Sequence, residues 1–371
     1  MTGARVLLKC LRREGVNTIF GYPGGAALPI YDALPGVPGI RHVLVRHEQG
    51  AAHAADAYWR ACGKVGVCLA TSGPGATNLV TGIAAAMADS VPMVVITAQV
   101  PSPLMGTDAF QEIDTLGITL PITKHSALVT SPPEIPRLVR EAFAIATSGR
   151  PGPVLLDIPK DVSAARLSEF PDDTSVLPSA EVKASLQGLS EAARLLADSR
   201  RPVLYVGGGA ARSGAASLVR KLARRLQIPV TTTLMALGVY PTDDALFLGM
   251  PGMHGSRRAN CALSEADVLL AVGARFDDRV TGKASGFAPN SRRIHIDIDA
   301  AEMGKVCRAD VQLVGDARLV LSALMRELDH YGRPDTAGWL DELCKQLRHP
   351  PVMGEFPGAA VSPRAVFEVL N

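Results

Sequence analysis

One carboxylate and two glycine-rich segments are the residues of this sequence whose types and positions best suit chemistry. Glu48 follows an apolar run and precedes Gln49-Gly50-Ala51-Ala52, the pattern of a helix that begins directly after a strand. Two other apolar runs lead into Tyr22-Pro23-Gly24-Gly25 and Thr71-Ser72-Gly73-Pro74-Gly75. A carboxylate partly desolvated among alanine and glycine can share a proton with a bound nitrogen base. The simpler interpretation is that Glu48 only offsets a helix dipole, a contribution of roughly a few tenths of a kcal/mol.

A third glycine-rich segment, Gly207-Gly208-Gly209, follows an apolar run in the second half of the chain. Backbone N–H groups at the start of a helix are suited to binding a diphosphate. The segment does not match the dinucleotide fingerprint, because the next three residues, 210–212, contain no glycine. A tight turn is the alternative explanation.

Apolar runs alternate with segments of helical period along the whole chain, which is typical of parallel strands joined by helices. Strands are predicted near residues 18–20, 42–45, 66–70, 93–97, 154–157, 203–206, 229–233, 268–272, 293–298 and 311–314. The fold class predicted is therefore α/β, with two doubly wound parallel-sheet domains. Ligands of such sheets bind at the carboxyl ends of the strands, where Glu48 and the three glycine-rich segments fall.

Changes in composition predict four parts of the chain. The first domain covers residues 1–163, a polar linker covers 164–183, and the second domain covers 184–330. Residues 331–371 are predicted to be a further linker that ends inside a new helix at 363–370. This ending indicates that a third domain would complete the architecture.

Overall composition excludes several classes of function. The 38 Lys and Arg residues against 36 Asp and Glu residues give a formal net charge of +2, without the basic clusters of a nucleic-acid groove. The six cysteines form no C-x-x-C pair, so reduced thiols are expected. The apolar region 79–100 is interrupted by Asp89 and Pro92, which favours a helix, a turn and a buried strand over a membrane span. A cytoplasmic protein without nucleic-acid or membrane partners is expected.

The motifs around Glu48 resemble those of a known family. The Tyr22 segment, Arg46-His47-Glu48-Gln49 and the segment from Thr71 to Asn78, in this order, resemble the pyrimidine-binding domain of thiamine-diphosphate enzymes. Five further segments resemble acetolactate synthase large subunits in particular, at residues 106–112, 123–125, 148–161, 252–255 and 273–280. The resemblance implies that the first domain binds the cofactor's pyrimidine and that the second binds a non-redox FAD. It also implies that Glu48 is the catalytic residue, which hydrogen-bonds a ring nitrogen of the aminopyrimidine.

The same resemblance implies three sets of site residues. The thiamine-diphosphate set is Tyr22, Pro23, Gly24, Glu48, Thr71, Pro74, Asn78 and Gln99. The FAD set is Arg150, Gly207, Gly208, Gly209, Thr233, Leu234, Gly252, Met253, His254, Gly273, Arg275, Asp277, Arg279, Val280, Asp297, Ile298, Gly315 and Asp316. The substrate set is Phe110, Gln111 and Lys124. Each has a simpler alternative: packing for Phe110, a solvated surface position for Lys124, and an ordinary ion pair for Arg275 with Asp277.

The family pattern is not matched everywhere. Members anchor the diphosphate through Mg²⁺ held by Gly-Asp-Gly and a downstream pair of asparagines, whereas Gly315-Asp316 is followed here by Ala317. No metal ligand is therefore assigned, and the Mg²⁺ ligands are expected on the missing third, diphosphate-binding domain. Three further departures are Trp59 in place of a small residue, Ala98 in place of glycine and Ala236 in place of glycine.

The leading hypothesis is a truncated acetolactate synthase large subunit, expected to be inactive alone. Such an enzyme decarboxylates pyruvate and condenses it with pyruvate or 2-oxobutyrate in branched-chain amino acid biosynthesis. A homodimer or higher oligomer is expected, with a small regulatory subunit as a further candidate partner. Two alternatives remain open: a non-catalytic FAD-binding or dimerisation remnant, and another thiamine-diphosphate 2-oxo acid decarboxylase or oxidase.

Overall fold

Parallel strands form the framework of both halves of the chain. The computed structural model describes residues 1–171, 184–185, 187–346, 366 and 369–370. The chain divides into two units, residues 1–181 and 182–371. The predicted linker residues 172–183 and the predicted helix at 363–370 lie largely outside the described residues.

The first unit is an α/β sandwich in its described part. Its strands are β1 (Thr18–Gly21), β2 (Arg41–Leu44), β3 (Gly66–Ala70), β4 (Met93–Gln99), β5 (His125–Leu128) and β6 (Pro153–Pro159). Its helices are α1 (Gly3–Arg13), α2 (Leu28–Ala33), α3 (Glu48–Cys62), α4 (Pro74–Asn78), α5 (Val80–Ala88), α6 (Thr115–Thr119), α7 (Ile135–Thr147) and α8 (Lys160–Ala164). The strands pair in parallel in the order β2-β1-β3-β4-β6-β5.

Alternate residues of the central strands pack on opposite faces of this sheet. Val94 and Ile96 of β4 join a core with α1 and α7, whereas Met93 and Val95 join a core with α3 and α5. Burial on both faces explains why the central strands are continuous apolar runs in the sequence.

The strand order creates a crevice at the carboxyl edge of the first sheet. β1 pairs with β2 on one side and with β3 on the other. The connections that leave β1 and β3 therefore diverge, which is the position where open α/β sheets bind ligands.

The second unit repeats this architecture with a different strand order. Its strands are β7 (Pro202–Val206), β8 (Val230–Thr232), β9 (Phe247–Gly249), β10 (Val268–Val272), β11 (Arg292–Asp297) and β12 (Val311–Val314). Its helices are α9 (Leu189–Asp198), α10 (Gly208–Arg212), α11 (Ala216–Leu226), α12 (Arg257–Glu265), α13 (Asp278–Thr281), α14 (Ala317–Glu327) and α15 (Ala337–Gln346). The described strands pair in parallel in the order β12-β11-β10-β7-β8-β9, which places the crevice between β7 and β10.

The predicted α/β class with two parallel-sheet domains is confirmed, and the ten predicted strands correspond to observed ones. Two observed strands, β5 and β9, were not predicted. Residues 331–346 were predicted to be part of a linker, whereas α15 packs Trp339 and Leu343 into the core of the second unit. Within the described part of the chain, no helix is long and apolar enough to cross a membrane.

Candidate functional site

Glu48 lies at the carboxyl edge of the first sheet, as the first residue of α3. His47 caps this helix, because its Nδ1 accepts a hydrogen bond from the backbone N–H of Gln49 at 3.1 Å. The Glu48 side chain is buried, with 7% of the residue's surface exposed. Its Oε2 accepts a hydrogen bond from Nδ2 of Asn78, at the end of α4, at 2.9 Å. The carboxylate is thus oriented by the connection that follows β3.

Gly75 lies close to the other oxygen of this carboxylate and to Thr71. A Cβ added at Gly75 would lie 3.3 Å from Oε1 of Glu48 and 2.7 Å from Cγ2 of Thr71. Thr71 in turn accepts a hydrogen bond through Oγ1 from the N–H of Ala26 at 3.2 Å, and a Cβ at Gly24 would overlap its side chain. The three connections that the sequence singled out therefore meet in close contact beside Glu48. A buried carboxylate with an oriented side chain at this edge fits a hydrogen bond to a nitrogen base such as an aminopyrimidine.

Tyr31 is a neighbour of this site that the sequence analysis missed. Its hydroxyl is buried, and it has no hydrogen-bond partner among the described residues. Its ring packs edge-on against His42 with centroids 5.1 Å apart. Burial, followed by the nearby charge of Glu48, raises the pKa of Tyr31 above its ordinary value. The sequence offered no sign that Tyr31 lies near Glu48, because a tyrosine among leucine, isoleucine and alanine is usually a core residue.

Gln99 ends β4 at the same edge, but its side chain is used within the protein. Its Nε2 donates to the carbonyl of Ile113 at 2.9 Å and to Oδ2 of Asp157 at 3.0 Å. Its Oε1 accepts from the N–H of Val100 at 2.9 Å. This arrangement favours a structural role, and the cofactor role of Gln99 stays a prediction.

Asp157, on β6, is the buried carboxyl group of this cluster. Oδ1 accepts a hydrogen bond from Oγ1 of Thr97 at 2.7 Å. Burial raises the pKa of Asp157 to about 6, and the charge of Asp114 acts in the same direction, whereas the hydrogen bonds from Thr97 and Gln99 oppose the rise. Protonation of this carboxyl is therefore easier in the folded chain than in the unfolded chain.

The raised pKa of Asp157 predicts a pH dependence of stability. Its stabilising contribution is fully present below the ordinary aspartate pKa of 3.8 and is lost as the pH rises through about 6. Wild type should therefore lose roughly 2 kcal/mol relative to Asp157→Asn between pH 4 and pH 7, since one pKa unit is about 1.4 kcal/mol and part of the rise in pKa from 3.8 to about 6 takes effect below pH 4. Urea unfolding of both proteins across this range measures the difference. Asp32→Asn, at an exposed position of α2, is the control, and a pH-independent difference for Asp157→Asn contradicts the prediction.

The predicted substrate residues Phe110 and Gln111 lie on the segment between β4 and α6. Phe110 is 87% exposed, and Gln111 is also exposed and adopts a positive φ of 58°. The carbonyl of Gln111 approaches the connection after β3, because a Cβ at Gly73 would lie 2.5 Å from that oxygen. The structure thus places this segment beside the Glu48 site.

Lys124 does not lie with them. It precedes β5 and is therefore at the amino edge of the sheet, opposite Glu48. Its Nζ donates to the carbonyls of Ile145 and Ser148, at the carboxyl end of α7, and burial lowers its pKa. This position argues against the predicted substrate contact. Lys160, which the sequence analysis did not select, begins α8 directly after β6 and so lies at the same edge as Glu48.

Most of the predicted FAD residues lie on connections at the carboxyl edge of the second sheet. The connections that follow β7 and β10 contact each other through their backbones, because the N–H of Gly209 donates to the carbonyl of Gly273 at 3.0 Å. A Cβ at Gly207 would overlap that carbonyl, and one at Gly209 would lie 2.8 Å from the Cα of Gly273. Close packing therefore explains two of the three consecutive glycines without a ligand, while Gly208 is partly exposed.

Unpartnered polar groups and exposed apolar side chains accompany these connections. Among the described residues, the buried hydroxyls of Thr232 and Thr233 have no hydrogen-bond partner. Leu234 and Met253 expose large apolar side chains at the same edge. Orphaned donors beside apolar surface fit a large, partly aromatic cofactor.

Several of the other predicted FAD residues have structural partners of their own. Asp277 caps α13 by accepting from the N–H of Arg279 at 2.8 Å, and Asp316 caps α14. Asp297 accepts from the N–H of Asp299 at 3.0 Å. In the first unit, Nε of Arg150 donates to Oγ of Ser90 at 2.9 Å. These contacts leave the FAD assignment as a prediction.

Two departures from the family pattern are accommodated locally. Ala236 has no positive φ, so alanine is conformationally acceptable there. Trp59 packs against the core formed by α3, α5 and the sheet.

Within the described residues, no group of three or more His, Cys, Asp or Glu side chains could hold a metal ion.

Comparisons with known proteins identify the family of this chain. Residues 1–118 match the model "Thiamine pyrophosphate enzyme, N-terminal TPP binding domain", and residues 189–324 match "Thiamine pyrophosphate enzyme, central domain". The chain therefore belongs to the thiamine pyrophosphate enzymes, and within them to the acetolactate synthase family.

The relatives that place the chain in the acetolactate synthase family are acetolactate synthase large subunits. The chain is 55% identical to that of Parasynechococcus marenigrum over 92% of this chain and 57% of the relative. It is 49% identical to that of Corynebacterium glutamicum over 100% of this chain and 60% of the relative. It is 52% identical to that of isozyme 2 of Escherichia coli over 94% of this chain and 62% of the relative. The chain thus spans about three fifths of the length of these curated relatives.

Proposed function

We propose that this chain supplies the pyrimidine-binding part of the active site of a thiamine-diphosphate-dependent acetolactate synthase. The observation that carries the proposal is the buried Glu48 carboxylate, whose Oε2 is held by Asn78 at the edge where the connections after β1, β2 and β3 meet. A carboxylate that merely offset the dipole of α3 would need neither burial nor an orienting amide.

Glu48 is proposed to hold a proton at a ring nitrogen of the aminopyrimidine. Bound thiamine diphosphate supplies a carbon nucleophile that adds to 2-oxo acids and stabilises the charge left by decarboxylation. Asn78 fixes Oε2, which leaves Oε1 as the oxygen proposed to face the ring nitrogen. Exclusion of water around Glu48 strengthens this hydrogen bond, because a buried carboxylate has no competing solvent.

Phe110 and Gln111 are proposed to contact the substrate. Both are exposed on a segment whose backbone reaches the connection after β3, next to the proposed cofactor site. We propose pyruvate as the first substrate, with pyruvate or 2-oxobutyrate as the second, by similarity to the acetolactate synthase relatives. A small regulatory subunit and assembly into a homodimer or higher oligomer belong to the same proposal.

FAD is proposed to bind along the carboxyl edge of the second sheet. The hydroxyls of Thr232 and Thr233, which have no hydrogen-bond partner in the described part of the chain, and the exposed side chains of Leu234 and Met253 support this position. The Mg²⁺ that neutralises the diphosphate is proposed to be held by a diphosphate-binding domain, as the family pattern implies.

Acetolactate formation tests the proposed function. The assay combines this chain with a diphosphate-binding domain that carries the Gly-Asp-Gly motif, on the continuing polypeptide or as a second chain. With thiamine diphosphate, Mg²⁺ and FAD supplied, pyruvate is expected to yield acetolactate. Omitting thiamine diphosphate is the control. Absence of product, when the assembly and bound cofactor are both demonstrated, contradicts the proposal.

A further inference from the structure

The segment that contains Phe110 and Gln111 has a backbone conformation that its residues do not favour intrinsically. Asp108 and Gln111 both adopt positive φ, at 57° and 58°, in the left-handed region that ordinary residues rarely occupy. Such conformations persist only where surrounding contacts impose them, and they are frequent at ligand-binding positions.

Glu112 closes the segment on itself. Its carboxylate accepts hydrogen bonds from the backbone N–H groups of Gly106 and Ala109. These bonds lower the pKa of Glu112, which keeps the carboxylate charged and able to accept both. They shape the turn but do not attach it to the rest of the unit.

Gln99 attaches the end of the segment to the sheet. It is 2% exposed at the end of β4, and its Nε2 donates to the carbonyl of Ile113, two residues after Gln111. The second N–H of the same amide donates to Asp157, and Oε1 accepts from Val100. Each polar atom of the amide is therefore in use, which makes a single orientation strongly preferred.

Asp157 selects that orientation. An ionised carboxylate only accepts hydrogen bonds, and Oδ1 already receives the hydroxyl of Thr97 at 2.7 Å. Oδ2 must then face a donor, which is Nε2 of Gln99 at 3.0 Å. A flipped amide would point its oxygen at two acceptors, the Asp157 carboxylate and the Ile113 carbonyl, and would release the segment.

We propose that Gln99, oriented by Asp157, is a positioning residue that fixes the substrate-facing segment 106–113 against the sheet. Gln99 acts through the Ile113 carbonyl and sets where Phe110 and Gln111 meet the 2-oxo acid. In this proposal Gln99 acts without a contact to the cofactor, in place of the cofactor role predicted from the sequence. The inference rests on the proposed function for the identity of the substrate, whereas the anchor itself is a property of the folded first unit.

Gln99→Glu tests the anchor in the assembled protein. The side chain keeps its length and its acceptor for Val100 but presents a carboxylate oxygen to Ile113 and Asp157. Loss of a buried hydrogen bond is expected to raise amide exchange in residues 106–115 and the KM for pyruvate roughly tenfold each. The dissociation constant of thiamine diphosphate is expected to stay at the wild-type value, and kcat to change less than KM.

Thr97→Val is the matched control, because it removes the other donor to Asp157 without touching the segment. It is expected to lower stability but to leave exchange in residues 106–115 and KM unchanged. Gln99→Met replaces Gln99→Glu as the test variant if Gln99→Glu does not fold. Methionine keeps the length of the side chain and lacks both N–H donors of the amide, without adding charge.

The proposal is overturned if both Gln99 variants show the wild-type rate of amide exchange in residues 106–115 and the wild-type KM for pyruvate. It is also overturned if Thr97→Val raises the amide exchange and the KM as much as the Gln99 variants do. A weaker affinity for thiamine diphosphate in the Gln99 variants also overturns it, because Gln99 would then be a cofactor ligand. If the wild-type assembly ligates no pyruvate, the proposed function fails, and exchange in residues 106–115 still decides whether Gln99 is the anchor.

Discussion

Replacing Glu48 with glutamine in the assembled enzyme is expected to reduce acetolactate formation by at least about 100-fold, the lower range for loss of a positioned acid or base. Glutamine keeps the size of the side chain, and its Oε1 can still accept the hydrogen bond from Asn78. What it cannot do is hold a proton at the ring nitrogen of the aminopyrimidine. The loss should therefore appear in kcat, with unfolding in urea close to wild type.

Glu191→Gln is the matched control for Glu48→Gln. Glu191 lies in the first turn of α9, exposed and paired with Arg292, so its charge also offsets a helix dipole. If dipole compensation explained Glu48, the two variants would behave alike and neither would lose activity. Undiminished ligation by Glu48→Gln would remove the basis of the proposed function.

The sequence was sufficient for the central strands and for the edge strands β2 and β12, but insufficient for the other two edge strands, β5 and β9. β3, β4 and β6 are buried on both faces, so the sequence of each contains a continuous apolar run. β5 and β9 lie at the edges, are only partly buried and have four and three residues. A short half-exposed strand leaves no periodic signal, because its pairing is decided by the neighbouring strand.

The candidate site divides in the same way. Motifs located Glu48, Thr71 and Gly75 because their roles depend on where each connection leaves the sheet. Tyr31 was missed because its proximity to Glu48 arises from the packing of α2, which no local pattern records. The contacts of Gln99 with Ile113 and Asp157 were also invisible, since they join residues 14 and 58 positions apart.

Glycine serves a comparable purpose at both crevices. In the first unit Gly24 and Gly75 lie against Thr71, and in the second Gly207 and Gly209 lie against Gly273. At each place the connections from two neighbouring strands approach more closely than a side chain would permit. A glycine-rich motif at a strand end is therefore not by itself a ligand signal, and substitutions must separate packing from binding.

Gly207→Ala is expected to destabilise the second unit by roughly 2 kcal/mol or more, in the range of overpacked buried positions. The added Cβ would overlap the carbonyl of Gly273 and lie 2.6 Å from the Cα of Ala274, both backbone atoms that cannot move aside. The connections after β7 and β10 would have to separate. Urea unfolding measures the loss, and Gly286→Ala is the control, because a Cβ there meets nothing within 4 Å.

Gly208→Ala separates the cofactor from the packing explanation. A Cβ at Gly208 would lie 3.0 Å from the Cβ of Met235, a tight contact that a small shift of one side chain can relieve, so Gly208→Ala should disturb the fold much less than Gly207→Ala. If this connection binds FAD, Gly208→Ala should bind less flavin per chain than wild type, measured by absorbance after release, at a much smaller loss of stability than Gly207→Ala. Equal flavin content in Gly208→Ala and wild type would leave the three consecutive glycines explained by backbone packing alone. Low flavin content in Gly207→Ala is expected on either explanation, because the connection itself is displaced.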